Sequence, residues 1–279
     1  MKFGFIGAGK VGFSLGKYLA DNEMEVVGYY SEFKEDALEA SKFTKSSVYK
    51  NIEDLVRDSD VLFLTVPDGA IEKVWNQVKK TGISGKVVCH CSGALSSKVF
   101  SDISELGGFG YSIHPLFAVS DRYNSYKELS NSYFTIEGSP EKIGEIRQIF
   151  EKMGNKICII SAKDKVKYHA AAAIASNLVV GLIDLSEKLL MECGFERDEA
   201  GDALAPIVWG NIKHILNNGV VEALTGPIER GDADTIKKHL ATISGNARET
   251  YIAVSRQVLE VAKRKNKDRD YSKIEEILK

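Results

Sequence analysis

Short apolar runs alternate with amphipathic stretches from Lys2 to about Ile160, and this alternation most limits the folds open to the chain. The runs are continuously apolar, which is typical of strands buried on both faces of a sheet. The stretches between them carry apolar residues at helical spacing, as at Val11, Leu15 and Tyr18. We therefore predict an α/β domain with a doubly wound parallel sheet. The predicted strands are Lys2–Ile6, Glu25–Tyr30, Val61–Val66, Lys86–Cys91, Gly110–Ile113, Tyr133–Glu137 and Lys156–Ile160, with a short strand near Val48.

The pattern after Ala162 is helical throughout, which predicts domains at 1–161 and 162–279. A long first helix is expected, with Asp164 as its N-cap and Gly194 as its stop signal. Further helices are predicted near 198–217, 233–243 and 247–265. The alanine-rich stretch 170–173 lets another helix approach closely, so this helix belongs either to the core or to a dimer interface. We expect a homodimer formed through the helical domain.

Composition and charge exclude several classes of function. The chain is 44% hydrophobic and 27% charged, with a formal net charge of −2, so it lacks the basic surface of a nucleic-acid-binding protein. The longest apolar stretch, Ala170–Ile183, contains Ser176 and Asn177, and we expect it to be too short and too polar to span a membrane. The N-terminal apolar run meets Lys10 too early for a signal peptide, which predicts a cytoplasmic protein.

The four cysteines do not resemble a disulfide framework in a chain of this length. Cys89 and Cys91 flank His90, an arrangement that invites a metal-binding interpretation. They lie on a predicted buried strand, however, and no second pair of ligands with zinc spacing follows. We therefore expect core packing at these positions and no metal.

A glycine-rich turn, G-x-G-x-x-G, follows the first strand and precedes the first helix. In this context the pattern predicts a dinucleotide-binding site. Gly7 permits a tight turn, Gly9 lets the backbone approach a pyrophosphate, and Gly12 lets the helix pack on the strand. A nucleotide-triphosphatase motif is excluded because Val11 stands where a magnesium-binding Ser or Thr is needed. The predicted phosphate-binding residues are Gly7, Ala8, Gly9, Lys10, Val11 and Gly12.

Residues after the second strand leave the choice of cofactor open. Glu32 is suited to a ribose 2′-hydroxyl and favours NAD, whereas Ser31 and Lys34 are suited to a 2′-phosphate and favour NADP. We predict NADP, with NAD as the alternative, and place Ser31 and Glu32 in the cofactor site.

Other polar residues follow successive strands at the edge where parallel sheets bind ligands. Asp68 either contacts a ribose or caps the next helix. Ser92 and Gly93 either lie beside a nicotinamide or form an ordinary turn, and His114 is expected to contact substrate. The residues assigned to this edge are Val66, Pro67, Asp68, Ser92, Gly93 and His114.

Several motifs together resemble a known family. They are the glycine turn, Val66-Pro67-Asp68, Cys91-Ser92-Gly93, His114-Pro115, Tyr168-His169, Asn177 and the stretch from Leu224 to Asp232. These resemble Rossmann-like oxidoreductases whose C-terminal half is a domain of unknown function. That family is related to pyrroline-5-carboxylate reductase and to the 6-phosphogluconate dehydrogenase superfamily, and some of its members resemble an alternative ketopantoate reductase. An arginine usual in the family after the second strand is replaced here by Glu32.

The resemblance implies a catalytic pair on the first helix of the second domain. His169 and Asn177 are eight residues apart, so they share roughly one face of a continuous helix. His169 stands where related reductases have a proton-donating lysine, and Ala173 replaces an asparagine. An imidazole can supply this proton at neutral pH. Lys165, one turn earlier, is the rival donor.

Arg230 is the expected carboxylate clamp, because a guanidinium binds carboxylates with two parallel hydrogen bonds. Thr225 either contacts substrate or shapes the turn, and Asp232 is the expected N-cap of the following helix. His169, Asn177 and Arg230 are expected to meet in a cleft between the domains.

The resemblance implies an NAD(P)H-dependent oxidoreductase that reduces a small 2-oxo acid. The most specific expectation is the conversion of 2-dehydropantoate (ketopantoate) to pantoate in pantothenate biosynthesis. Two alternatives remain open: an imine reductase of the pyrroline-5-carboxylate reductase type, and a nucleotide-sensing protein without catalytic activity.

Overall fold

The computed structural model describes every residue from Met1 to Lys279, and the chain divides into two compact units. The first unit is Met1–Asn177 and the second is Leu178–Lys279. The predicted boundary after residue 161 therefore differs from the observed one. The reason is the first helix beyond that boundary, which Lys165 anchors to the sheet through two buried hydrogen bonds.

The first unit is built on one eight-stranded sheet with the order β3-β2-β1-β4-β5-β6-β7-β8. The strands are β1 Lys2–Ile6, β2 Glu25–Tyr30, β3 Ser47–Val48, β4 Val61–Leu64, β5 Val87–His90, β6 Phe109–Pro115, β7 Tyr133–Gly138 and β8 Lys156–Ile159. This sheet and the helical region after it confirm the predicted fold class.

One strand pair departs from the parallel arrangement. β6 and β7 run antiparallel, whereas every other neighbouring pair is parallel. The connection between β6 and β7 contains the 3₁₀ helix Ser125–Asn131 and brings the chain back antiparallel to β6.

Helices and buried side chains cover both faces of this sheet. The helices are α1 Lys10–Asp21, α2 Lys34–Thr44, α3 Ile52–Asp58, α4 Asp68–Val78, α5 Ile143–Lys152 and α6 Lys165–Ala175. One core cluster contains Phe5, which stacks between Tyr29 and Phe63. A separate cluster contains Leu64 and Trp75. The two cores explain why the strand sequences are continuously apolar.

The second unit is helical. Its helices are α7 Asn177–Glu192, α8 Arg197–Ala223, α9 Pro227–Arg230, α10 Ala233–Thr242, α11 Gly245–Lys265 and α12 Ser272–Ile277, α7 beginning one residue before the division. Ile236, Leu259 and Ile274 are almost completely buried in its core. Asp232 caps α10 as predicted, since its carboxylate accepts a hydrogen bond from the amide of Thr235. α9 and α12 were not predicted, because each is too short to show a helical period of apolar residues.

The single long helix predicted from Asp164 to Cys193 is broken in the structure. Ser176 has non-helical backbone angles (φ −126°, ψ −81°) and separates α6 from α7. Its hydroxyl donates to the carbonyl of Ala172 at 2.7 Å, a bond that competes with the regular helical pattern. Gly194 ends α7 with φ +98°, as predicted.

The apolar helical segment that contains α6 and α7 extends beyond the stretch Ala170–Ile183 considered in the sequence analysis. Ala162–Glu192 contains an 18-residue window with mean hydropathy 1.4, which is long and apolar enough to cross a membrane by length and composition. The expectation based on Ala170–Ile183 alone is therefore corrected. One such segment is weak evidence for a membrane location, because core helices of water-soluble proteins meet the same criterion.

Candidate functional site

The glycine turn joins the carboxyl end of β1 to the first residue of α1. Gly7 has φ +99°, and a Cβ there would lie 2.7 Å from the carbonyl oxygen of Thr65. A Cβ at Gly12 would lie 2.3 Å from the Thr65 hydroxyl oxygen. Both contacts require glycine. Thr65 also donates its hydroxyl to the Gly7 carbonyl at 2.7 Å, which joins β4 to the turn.

Gly9 is the N-cap of α1, and a Cβ on it would meet no atom within 4 Å. Open space therefore lies directly in front of the helix N-terminus. The first amides of a helix have no intrahelical acceptor, and together with the helix dipole they attract an anion. A dinucleotide pyrophosphate fits this position.

A cleft of about 410 Å³ begins at the glycine turn and extends along the ends of β2 and β4. Gln77 and the apolar residues Ile52 and Val74 line its far side. Such a mixture of apolar walls and a few polar groups suits a nucleoside. Of the predicted cofactor residues, Gly7, Ala8, Gly9, Ser31, Glu32, Val66 and Pro67 line the cleft, while Lys10, Val11 and Gly12 follow in α1.

Hydrogen bonds connect the segments that follow β4 and β5. Ser92 donates its hydroxyl to the Asp68 carboxylate at 2.7 Å and accepts from the amides of Ala94 and Leu95. Asp68 is the first residue of α4 rather than its cap, and its carboxylate binds Ser92. Its predicted contact with a ribose stays a prediction. These bonds fix the backbone of the Ser92–Gly93 turn at the ligand-binding edge.

His169 of α6 and His114 of β6 meet at Gly93. A Cβ on Gly93 would lie 2.7 Å from Nδ1 of His169 and 3.0 Å from Nε2 of His114. The absence of a side chain at residue 93 therefore allows both imidazoles to approach the turn. His114 also binds Tyr168, with 2.7 Å between its Nδ1 and the phenol oxygen. The structure thus brings Asp68, Ser92, Gly93, His114 and His169 together.

Lys165 lies beneath the same turn and is 1% exposed. Its ammonium donates to the carbonyl of Ser92 at 2.8 Å and to the hydroxyl of Ser112 at 2.7 Å. Burial lowers its pKa to about 8, so it remains charged at neutral pH. Because its hydrogen bonds tie α6 to the ends of β5 and β6, Lys165 orients Tyr168 and His169. Its burial makes it a poorer candidate than exposed His169 for proton transfer to a substrate.

Two histidines at this edge are held in the neutral form. Burial is the main cause that lowers the pKa of His90 and of His114 to about 4. In His114 the charge of Lys165 acts in the same direction. Both ring nitrogens of His90 have partners: Nδ1 accepts from the amide of Ser92, and Nε2 faces the carbonyl of Ser96. These bonds require the Nε2–H tautomer of neutral His90.

These low pKa values predict that the protein loses stability on mild acidification. Below about pH 6.5 the unfolded chain protonates both histidines, while the folded chain keeps them neutral until about pH 4. Between about pH 7 and about pH 5 the free energy of unfolding should fall by about 2 kcal/mol for each histidine. Urea unfolding across this range measures the loss. His90→Gln and His114→Gln should each flatten the pH profile, whereas His214→Gln, at an exposed position, should not. An equal slope in all four proteins would contradict the prediction.

The remaining predicted site residues lie in other elements. Asn177 is exposed and begins α7, so the break at Ser176 removes the continuous helix on which its shared face with His169 was predicted. Thr225 and Arg230 belong to the second unit. Both are exposed, and Arg230 has no carboxylate within 4 Å. The guanidinium is therefore free to bind an acidic ligand. Its predicted role stays a prediction.

Cys89, one of the two cysteines that flank His90, is fully buried in the core. Cys91 packs against the same cluster. No three His, Cys, Asp or Glu side chains are grouped so that they could hold a metal ion.

Sequence reasoning gave no role to Tyr168 or Arg122. Tyr168 was recognised only as the neighbour of His169, and its bond to His114 joins residues 54 positions apart. Arg122 donates to the carbonyl of Ala8 in the glycine turn and pairs with Asp36 and Glu39 of α2. It lies in an irregular connection without a motif, so no sequence signal marks it.

Two family models match consecutive parts of the chain. Residues 1–115 match a Rossmann-like domain, and residues 132–258 match a domain of unknown function, DUF2520. The chain therefore combines a region similar to Rossmann-like domains with a following region similar to DUF2520. This confirms the resemblance inferred from the motifs. No curated protein is significantly similar in sequence.

Solved structures with this fold include proteins TM1727 from Thermotoga maritima, pyrroline carboxylate reductase from Plasmodium falciparum and imine reductase from Myxococcus stipitatus. TM1727 is 26% identical, with a TM-score of 0.76 and coverage of 95% of this chain and 99% of its own. The Plasmodium enzyme, solved with NADP, is 17% identical (TM-score 0.57; 94% and 98% covered). The Myxococcus enzyme, a variant in complex with NAD⁺, is 15% identical (TM-score 0.60; 93% and 94% covered). The chain thus has the fold of NAD(P)-dependent oxidoreductases and imine reductases.

Proposed function

We propose that the protein is an NAD(P)H-dependent reductase of a small 2-oxo acid, most specifically of 2-dehydropantoate to pantoate. The observation that carries this proposal is the meeting of His169 and His114 at Gly93, which follows β5 at the same edge of the sheet as the glycine turn after β1. A reduced nicotinamide supplies hydride when bound. The two imidazoles provide the proton and the hydrogen bond that a developing alkoxide needs.

The cofactor we propose is NADP, with NAD as the alternative. The cradle in front of Gly9 fits the pyrophosphate of either one. Ser31 and Glu32 line the cleft at the end of β2, where the ribose 2′ position is distinguished. The NADP complex of the Plasmodium enzyme and the NAD⁺ complex of the Myxococcus enzyme, both of this fold, support binding of a nicotinamide dinucleotide.

Roles for the other site residues follow from their chemistry. We propose that His169 gives up the proton, that Asn177 orients substrate or nicotinamide, and that Arg230 binds the substrate carboxylate. Thr225 contacts substrate in this proposal. The exposure of His169, Asn177 and Arg230 is consistent with access for a small ligand. The choice of 2-dehydropantoate within the 2-oxo acids, and hence a place in pantothenate biosynthesis in the cytoplasm, depends on the family resemblance.

An imine reductase is the second candidate, supported by the fold shared with the pyrroline carboxylate and imine reductases. A panel of 2-oxo acids and cyclic imines, assayed by loss of nicotinamide absorbance, separates the two. Preferred turnover of 2-dehydropantoate would support the proposal, and preferred turnover of 1-pyrroline-5-carboxylate would support the imine reductase. NADPH binding without turnover of any compound would favour a nucleotide-sensing protein.

We also propose a homodimer formed through the helical domain. No residue of α7 is buried, and α8 buries only Ala200 and Ala223 although it is 27 residues long. Trp209 and Leu216 of α8 are 73% and 79% exposed. Water-soluble monomers rarely expose apolar surface this extensive, so a second copy of the chain is the proposed cover.

A single glutamate in this apolar surface should weaken the dimer strongly. Leu216→Glu removes a large apolar contact worth about 2 kcal/mol and buries an unpaired charge in the interface. Light scattering after size exclusion should give the mass of two chains for the original protein and of one chain for the variant. Lys237→Glu, at an exposed position of α10, is the control and should remain dimeric. A monomeric original protein would contradict the proposal.

A further inference from the structure

We propose that Arg122 allows the cofactor cleft to accept the 2′-phosphate of NADP, because its charge offsets the carboxylates of α2 that would otherwise repel that phosphate. This inference rests on the proposed binding of a nicotinamide dinucleotide. It adds a residue that determines the choice between NADP and NAD. Arg122 lies in the connection between β6 and β7, away from the glycine turn and the end of β2 in the sequence.

The guanidinium of Arg122 joins the glycine turn to α2. Its Nη2 donates to the carbonyl of Ala8 at 3.2 Å and to Oδ1 of Asp36 at 3.3 Å, while Nη1 lies 3.2 Å from Oε2 of Glu39. Its carbon Cζ lies 4.6 Å from the centre of the Phe13 ring in α1. The side chain is only 26% exposed. These contacts hold the positive charge at one place between the turn and α2.

Two of the residues that Arg122 contacts belong to the wall of the cofactor cleft. Ala8 and Asp36 both line it, as do Ser31 and Glu32 at the end of β2. Residues at the end of the second strand of such a sheet contact the ribose 2′ position. Asp36 follows closely after Glu32 in the chain and lies in the first turn of α2. The cleft therefore has two carboxylates on the side where NADP carries a phosphate and NAD a hydroxyl.

The balance of charge at this position distinguishes the two cofactors. A phosphate monoester carries a charge of about −1.5 to −2 at neutral pH, whereas a hydroxyl is neutral. Like charges a few Å apart repel each other, so carboxylates without a counter-charge disfavour NADP and leave NAD almost unaffected. Arg122 forms ion pairs with both Asp36 and Glu39, and neither carboxylate has another cation within 4 Å. Removal of Arg122 therefore leaves both carboxylates of α2 without a counter-charge.

The backbone around Arg122 is held by contacts that do not involve its guanidinium. The carboxylate of Asp121 accepts hydrogen bonds from the amides of Tyr123 and Asn124 at 2.7 and 3.1 Å. Ser14 of α1 donates its hydroxyl to the carbonyl of Arg122 at 3.2 Å. These bonds remain when the side chain is changed, so Arg122→Gln removes the charge while the connection keeps its path over α1.

Fluorescence titrations of NADPH and NADH test the proposal without any assay of activity. Arg122→Gln should raise the ratio of the NADPH to the NADH dissociation constant about 10-fold, and Asp36→Asn should lower it about 3-fold. Arg122→Lys keeps the charge and should leave the ratio within about 3-fold of the original. Arg147→Gln, which breaks an exposed ion pair with Glu151 in α5, is the control and should not change the ratio. The effect of Arg122→Gln should largely disappear at about 1 M salt, where charges are screened beyond about 3 Å.

The ratio separates this role from a merely structural one, which would weaken both cofactors equally. An unchanged ratio in Arg122→Gln, with or without weaker binding of both cofactors, would overturn the inference. Binding of NADH but not NADPH by the original protein would also overturn this inference alone, and binding of neither would overturn the proposed function itself. If Arg122→Gln does not fold, Asp36→Asn decides the proposal, because an unchanged ratio in that variant contradicts it.

Discussion

Replacement of His169 by alanine should lower kcat by about 10²- to 10⁴-fold, the usual contribution of a general acid. The side chain lies at Gly93 and is exposed, so it can both reach a ligand at this edge and exchange its proton with solvent. The affinity for NADPH should stay within about twofold, because the glycine turn is untouched. Steady-state kinetics and a fluorescence titration of NADPH measure the two quantities separately.

Lys167→Ala is the matched control for this variant. Lys167 is exposed on the same helix, two residues before His169, and its replacement should leave kcat unchanged. If His169→Ala retains full kcat, the donor has been assigned wrongly and Lys165 becomes the next candidate. Lys165 would first have to leave its bonds to Ser92 and Ser112.

A carboxylate at Gly9 should abolish dinucleotide binding without damaging the fold. Gly9→Asp places negative charge and bulk where the pyrophosphate is expected to bind. Gly9 has φ −70°, which any residue adopts, and a Cβ there meets no atom within 4 Å. Aspartate is also a favoured N-cap, so the variant should be at least as stable as the original protein.

Thermal unfolding with and without NADPH measures this effect. At about 100 times its dissociation constant a ligand stabilises a protein by about 2.7 kcal/mol, and this shift should disappear in Gly9→Asp. Gly144→Asp adds the same side chain to the first turn of α5, also with no atom within 4 Å, and should keep the full shift. Equal NADPH stabilisation of Gly9→Asp and the original protein would contradict a pyrophosphate site at this turn.

The architecture of the first unit was largely predictable, because strands buried on two faces produce continuously apolar runs separated by amphipathic helices. The antiparallel β7 was not predictable. Its sequence from Tyr133 resembles the other buried strands, and an apolar run does not state the direction in which a strand pairs. The break at Ser176 was also missed, since serine does not interrupt most helices and the apolar pattern continues beyond it.

Part of the candidate site could also be predicted. The glycine turn has an explicit sequence pattern, and His114, Ser92 and Gly93 follow strands, so they share one edge of the sheet. The approach of His169 to Gly93 depends on how α6 packs on that edge. The family resemblance placed His169 near the cofactor, whereas helical periodicity alone does not place a helix on a sheet. The burial of Lys165 had no signal, because a lysine on a helix is normally exposed.

Transfer of deuterium from NADPH labelled at nicotinamide carbon 4 tests the central claim most directly. The protein is incubated with the labelled cofactor and 2-dehydropantoate, and the product is analysed by mass spectrometry. We expect pantoate with one deuterium at carbon 2, formed by the original protein and reduced at least 100-fold in His169→Ala. Bound NADPH that yields no labelled pantoate would contradict the reduction of this 2-oxo acid by hydride transfer.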